Sequence, residues 1–202
     1  MLSKNAILTR TRKGVDLYEF NYDMNIDGIL TAQGYGQIWS HIDCVNRYKV
    51  KLFIELGMYM GGTLPYLIPN LVLDHSFSYL GFEKIEDTVN SRLITFSNQN
   101  PRCRIILDDM FSPPSMGIIA KSVVNTHGAV YIFCDGGNKP KELMTFSRIM
   151  RIGDIISVHD YTEDQTGEIR DADLAKLGDD FVPLDENWRH NLLWLPTFIK
   201  VK

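Results

Sequence analysis

Acidic residues follow five successive apolar runs in this chain, and their positions suggest a shared chemistry. The first run, Lys51–Leu56, carries Glu55 and stops at Gly57. The second, Phe77–Glu83, closes on Glu83. The third, Arg104–Leu107, is followed by Asp108, Asp109, Met110 and Phe111. The fourth, Ala129–Cys134, is followed by Asp135, Gly136, Gly137 and Asn138. The fifth, Asp154–Val158, leads into His159, Asp160 and Tyr161. A single loop acid means little, but five in succession point to one rim. Glu83 could accept both hydroxyls of a ribose, as carboxylates at such strand tips do. Asp109 could accept from an adenine amino group; Asp108 competes for that role, and spacing does not separate them. Asp135 and Asp160 could share a hard cation through oxygen, with His159 as a softer third ligand that admits Mn²⁺ or Fe²⁺. His159 could instead be a general base, and so could Lys139, four residues after Asp135. Plainer readings stand beside these. Glu83 could simply favour a helix start, His159–Asp160 could be a hydrogen-bonded pair without metal, and Lys139 a solvated helix-start residue.

The first acid belongs to the pattern Glu55-x-Gly57-x-x-x-Gly61-Gly62-Thr63. It reads as a buried strand turning sharply into a helix. The glycines permit the turn and let a ligand lie against the backbone. The new helix would aim free N–H groups at that ligand. Dinucleotide binders use G-x-G-x-x-G at this place; here Met58-Tyr59-Met60 intervenes. No P-loop pattern occurs either. An adenosine cofactor without phosphate fits better, and a positive charge on it would suit the carboxylates.

The elements that must position these groups alternate. The spacing of Ile38, Ile42 and Val45 predicts a helix over 34–48. Further helices are expected over 62–73, 87–98, 115–124 and 141–150, with a helical turn or two over 171–177. Pro65 suits a first helical turn, whereas Pro69 would kink or end the helix. Two late strands, Phe181–Leu184 and Leu192–Val201, have no helical pattern between them and should form an antiparallel hairpin at the sheet edge. The expected fold is α/β: a Rossmann-like, doubly wound, mostly parallel seven-stranded sheet covered on both faces. A single domain over 1–202 is expected, with an irregular N-terminal segment over 1–33 and the core over 34–202.

Bulk properties narrow the partners. The chain has 202 residues and a formal net charge of −4, with 45% hydrophobic and 23% charged residues. That suits a soluble globular protein and argues against nucleic-acid binding, which favours a basic face. Cys44, Cys103 and Cys134 have no metal-ligand spacing; Cys103 and Cys134, at the ends of apolar runs, read as buried thiols, and reduced thiols suit a cytoplasmic protein. No apolar run is long enough to cross a bilayer, so no membrane partner is expected, and the sequence leaves room for a homo-oligomer. His41 and His190 have no clear place. Tyr35, Trp39 and Trp188 could line an acceptor pocket, and the polar loop Thr162–Arg170 could be a lid.

With these residues in view, the chain resembles the class I S-adenosylmethionine-dependent methyltransferases over roughly residues 35–202. Glu55-x-Gly57-x-x-x-Gly61 looks like their first motif, Glu83 like the acid closing their second strand, and Asp108-Asp109-Met110-Phe111 like their adenine-side motif. The resemblance implies S-adenosylmethionine (SAM) contacts at Glu55, Gly57, Gly61, Gly62, Thr63, Glu83, Asp109 and Met110. A narrower likeness, carried by Val130–Gly137 and Gly153–Tyr161, is to the metal-dependent O-methyltransferases of catechols and macrolide sugars and to cephalosporin hydroxylase-like proteins. It implies a divalent metal, Mg²⁺ or else Mn²⁺, on Asp135, His159 and Asp160, although His159 stands where an acid is usual and Asn138 where a histidine is common. The implied reaction is methyl transfer to a hydroxyl of a small molecule or sugar, with Asp135, His159 and Lys139 as the catalytic candidates. A metal-dependent oxygenase and a non-catalytic SAM-binding protein are the competing readings.

Overall fold

A computed structural model of the chain describes residues 8–10, 16–18, 25–26, 29–30, 33, 35–61, 63–70, 76–85, 88–161, 167–185 and 195–202. Its centre is a seven-stranded sheet: β1 (Leu52–Leu56), β2 (Ser78–Glu83), β3 (Cys103–Leu107), β4 (Val130–Cys134), β5 (Ile155–Val158), β6 (Phe181–Pro183) and β7 (Thr197–Lys200). The strand order is β6-β7-β5-β4-β1-β2-β3. β7 runs antiparallel to both its neighbours, β5 and β6, and the remaining pairs are parallel. The expected terminal hairpin is therefore present, but β7 lies inside the sheet and β6 forms the edge. Before the sheet, Leu8–Arg10 pairs antiparallel with Asp16–Tyr18, and Asn25–Ile26 with Ile29–Leu30.

Alternation along β1 explains the two-faced core. Leu52, Ile54 and Leu56 point into one apolar cluster with Ile132, Phe146 and Ile156, while Phe53 points into the other with Ile38, Leu67, Tyr79 and Tyr131. Successive strand residues face opposite sides, and both sides are covered, so β1 and β4 are buried at every position. Among the helices are α1 (Tyr35–Arg47), α2 (Leu64–Asn70), α3 (Ser91–Gln99), α4 (Pro113–Asn125), α5 (Lys139–Phe146) and α6 (Asp171–Leu174). Local sequence sets several starts. Asn90, Ser112 and Asn138 cap α3, α4 and α5, each side chain accepting a backbone N–H of the first turn. Pro113 stands at the first position of α4, where its missing N–H costs nothing. α2 is described as far as Asn70, one residue past Pro69. Gly62 and residues 71–73 of the expected second helix lie outside the described residues. The expected helix over 141–150 begins earlier, at Lys139, and gives way to a 3₁₀ turn over Ser147–Ile149.

Chain order also fixes where a ligand can enter. The chain runs outward through β1, β2 and β3, then returns to place β4 on the other flank of β1. The strand order reverses between β1 and β4, which opens a crevice beyond their carboxyl ends. At the opposite end a buried carboxylate joins the strand starts. Asp154 accepts from Val130 N at 2.9 Å, from Arg151 N at 2.8 Å and from the Arg151 guanidinium at 3.0 and 3.1 Å. The same guanidinium donates to the carbonyls of Thr126 and Gly128. Among the described residues, no helix is long and apolar enough to cross a membrane. Asp154→Ala strips the acceptor from all four donors and leaves the guanidinium uncompensated. Loss of one partner of such a pair costs about 3 kcal/mol, so the urea midpoint should fall accordingly with an unchanged slope.

Candidate functional site

Strand register builds the rim. Leu56 is level with Phe82 on β2 and with Cys134 on β4, and Cys134 is level with Val158 on β5. The next residues, Gly57, Glu83, Asp135 and His159, therefore emerge in one row. Backbone bonds fix that row: Gly57 N to Phe82 O at 2.9 Å, Asp135 N to Leu56 O at 2.9 Å, and His159 N to Cys134 O at 3.0 Å. Glu83 is level with Leu107, so Asp108 and Asp109 continue the row on β3. Beyond it lies a cavity of about 800 Å³, within the range of small-molecule sites. Its lining includes Gly57, Glu83, Asp109, Met110, Asp135, Lys139, His159 and Asp160.

The glycines act by closeness of backbone to backbone. Gly57 has φ +84°, and a Cβ there would stand 2.5 Å from Gly136 Cα and 2.6 Å from Asp135 O. The loops after β1 and β4 thus touch with no room for a side chain. Gly61 is packed instead against Leu93, where an added Cβ would meet Cδ1 at 2.0 Å. Thr63 is buried and donates its hydroxyl to Glu55 Oε2, as Tyr79 does. Glu55, Gly61 and Thr63 are therefore absent from the cavity lining, and Gly62 lies outside the described residues. Glu55 shares the α1-side face of the sheet with Phe53. Burial pushes its carboxyl up to about 8; the two hydroxyl bonds oppose that rise, and the charges of Asp135 and Glu83 add to it.

At one end of the cavity Glu83 organises the loops around it. Its Oε2 accepts from Tyr59 N at 2.6 Å and its Oε1 from Ile85 N at 3.0 Å. Each carboxylate oxygen has a second lone pair, which leaves acceptor capacity for a diol. Asp108 and Asp109 have different partners. Asp108 holds the start of α4, accepting from the hydroxyls of Ser112 and Ser115, bonds that keep its carboxyl below the usual range. Asp109 lines the cavity, accepts from Phe111 N at 2.9 Å and pairs with exposed Lys84 at 3.3 Å.

Charge gathers at the other end. His159 Nδ1 lies 3.0 Å from Asp135 Oδ1 and 3.1 Å from Asp160 Oδ1, while Nε2 is 2.7 Å from the Gln37 side-chain amide. Gln33 donates to Asp135 Oδ2 at 2.5 Å. Burial disfavours the charged ring of His159, but hydrogen bonds to Asp135 and Asp160 outweigh it and lift the ring to about 9. Burial raises the Asp135 carboxyl against the pull of His159. The His159 bond holds Asp160 far below the ordinary carboxylate range. Asp160 itself adopts φ +61°, in the left-handed region. Lys139 is buried, 3.0 Å from Asp160, 3.8 Å from Asp135 and 3.1 Å from both Glu168 and the Gly136 carbonyl. Burial opposes its charge, yet the surrounding carboxylates raise its pKa overall. These are the surroundings of an ammonium, not of a neutral amine ready to take a proton.

Several contributors carry no motif in the sequence. Gln33 and Gln37 reach the site from the segment leading into α1 and from its first turn. Glu142 is fully buried and accepts from Gly136 N at 3.0 Å and Asn138 N at 3.1 Å, fixing the turn that presents Asp135. An acid in the first turn of a helix was the available signal for it; Glu168 had none. Among the other expected residues, Trp39 is half-exposed and absent from the cavity lining. His41 is wholly buried, its Nδ1 2.8 Å from the Tyr131 hydroxyl, and burial, with the His159 charge, lowers it to about 3. The Tyr35 side chain, Trp188, His190 and most of the expected lid (162–166) lie outside what is described.

Comparison with known proteins locates the fold. No family model matches the chain, and no curated relative does. Solved structures match in shape. CmcI with Mg and SAM gives a TM-score of 0.70 at 12% identity, over 93% of this chain and 81% of that one. An apo structure of CmcI gives 0.67 over the same shares at 12% identity. The O-methyltransferase TomG from Streptomyces achromogenes, involved in tomaymycin synthesis and solved with SAM, gives 0.51 at 10% identity, over 88% of this chain and 84% of that one. The fold is thus the Rossmann-like one of these methyltransferases.

The buried Glu55 carboxyl yields a pH prediction. Its folded pKa lies above the ordinary 4.5, so between 4.5 and 8 the folded chain holds a proton that the unfolded chain has lost. That contribution is complete below 4.5 and fades as pH rises through 8. Relative to Glu55→Gln, the wild type should lose stability between pH 5 and 8, by on the order of 1 kcal/mol per pH unit. Denaturant melts of both proteins across that range measure it; parallel profiles would refute the assignment.

Proposed function

We propose that the chain is a SAM-dependent methyltransferase acting on a hydroxyl of a small molecule or sugar. The observation that carries this is the single cavity shared by Gly57, Glu83, Asp109 and Asp135, in a fold common to SAM-bound methyltransferases. Glu83 would take the ribose hydroxyls and Asp109 the adenine amino group, with Met110 beside the ring. The close contact of Gly57 with Gly136 would hold the loops after β1 and β4 together under the cofactor, whose sulfonium would face Asp135.

Transfer is an in-line displacement. The acceptor oxygen forms a bond to the methyl carbon, and the carbon–sulfur bond breaks with its electron pair going to sulfur. The sulfonium becomes a neutral thioether. The hydroxyl proton must leave; with His159 already held as an imidazolium, the vacant proton site of the coupled Asp135–His159 pair would be the Asp135 carboxylate, which burial makes more basic. Gln33 and Gln37 would hold that pair in place, each bonded to one of its members.

Asp135, His159 and Asp160 also fit a divalent ion. They offer two carboxylates and an imidazole whose ligand atoms all lie within 4.8 Å of one another, and oxygen-rich sets of this kind suit Mg²⁺ or Mn²⁺. Such an ion would lower the pKa of the acceptor hydroxyl and help orient it.

Calorimetric titration with SAM, with and without Mg²⁺, tests the reading. Wild type should give one-site heat in both conditions. Glu83→Gln removes the charge that would face the ribose and should weaken binding by about tenfold or more. Gly57→Val drives a side chain into Gly136 and should abolish the heat while circular dichroism reports a folded sheet. A wild type that gives no heat in either condition ends the proposal.

A further inference from the structure

We propose that Lys139 is a tethered cation that competes with a divalent ion for the carboxylates of this site, and so sets how far the reaction depends on metal. The claim rests on the methyltransferase reading for its consequence alone, because the competition itself needs neither SAM nor acceptor.

Lys139 opens α5, four residues after Asp135, and its chain turns inward until the side chain is only 6% exposed. Its ammonium is shared among Asp160 Oδ2, Asp135 Oδ1, Glu168 Oε2 and the Gly136 carbonyl. An ammonium has three protons to donate; Asp160, Glu168 and the Gly136 carbonyl, at 3.0, 3.1 and 3.1 Å, take all three, and Asp135 at 3.8 Å is a coulombic neighbour beyond hydrogen-bond reach. Two of them, Asp135 and Asp160, are also two of the three residues that would hold an ion. Any dication bound there meets a fixed positive charge on the same carboxylates, with little water between to screen it. Metal binding therefore has to displace the ammonium from Asp160 or tolerate it there.

Glu168 gives the lysine somewhere to go. It follows Asp160 in the chain, is half-exposed, and is not among the grouped ligand candidates of the described residues. Drawing the ammonium toward Glu168 would free Asp160; losing Glu168 would leave Lys139 concentrated on Asp135 and Asp160. The same arrangement explains why this lysine is poorly placed to act as a base. With the site free of metal, the ammonium supplies a positive charge beside Asp135 that an ion would otherwise provide.

The test is Mn²⁺ titration of the full chain, with free Mn²⁺ read by its electron paramagnetic resonance signal and with no SAM or acceptor present. Lys139→Met should bind Mn²⁺ at least about tenfold more tightly than wild type, since a like charge is removed at close range. Lys139→Gln should do the same and serves if the methionine variant fails to fold; Lys139→Arg should match wild type. Glu168→Gln should weaken binding in the wild-type background and have little effect beside Lys139→Met, as a double-mutant cycle would show. Unchanged or weaker Mn²⁺ binding in both neutral variants overturns the proposal. So does a Glu168→Gln effect of equal size in the two backgrounds, which would make Glu168 a plain nearby charge. A failure of SAM to bind would sink the methyltransferase reading and leave these Mn²⁺ results standing.

Discussion

Everything at the rim depends on strands that end level. The ladder bonds pairing Leu56 with Phe82 and Cys134, and Cys134 with Val158, decide which residues come next. A slip of one residue would reverse the facing of every side chain on a strand. Such a slip is opposed on both sides here, since each face of β1 and β4 is packed against apolar neighbours. The packing that makes the sheet insoluble to water is therefore what holds four chemically unlike residues in line. No contact among the polar side chains is needed to bring them together, although such contacts then adjust them.

The acids divide into three populations by what surrounds them. Glu55 is enclosed away from the cavity and is met by hydroxyls rather than cations, so the proton is its cheapest partner. Asp135 and Asp160 are enclosed together with His159 and Lys139, and there the charged forms stabilise one another. Glu83 and Asp109 take a third course, using backbone N–H groups as partners while keeping one side toward the cavity. Sequence position near a strand end is common to all of these. What separates them is which face of the sheet the side chain leaves from, and what waits there.

That distinction marks the boundary of what could be read from the chain alone. Alternating apolar runs and helical spacings gave the sheet, its parallel core and its terminal hairpin, because both depend on periodicity. The rim residues Gly57, Glu83, Asp135 and His159 were legible for the same reason, each being the first polar position or glycine after an apolar strand. Glu55 was misplaced because it lies inside its strand, where alternation sends it to the α1 side instead of to the tip. Gly61 fitted a ligand loop by spacing and Thr63 through the family resemblance, but Gly61 packs against Leu93 and Thr63 bonds to Glu55. Gln33, Gln37 and Glu168 could not be found at all. They reach the site through tertiary approach, Gln37 from a helix whose apolar spacing was legible, but nothing local marks a glutamine that will meet a histidine more than a hundred positions away.

Asp160 carries one more implication. Its backbone is left-handed, a conformation that costs a residue with a side chain of order 1 kcal/mol or more and that glycine adopts freely. A glycine there would relax the turn but delete the carboxylate that holds His159 and Lys139. The aspartate therefore trades a backbone cost for a carboxylate aimed at its two cationic neighbours.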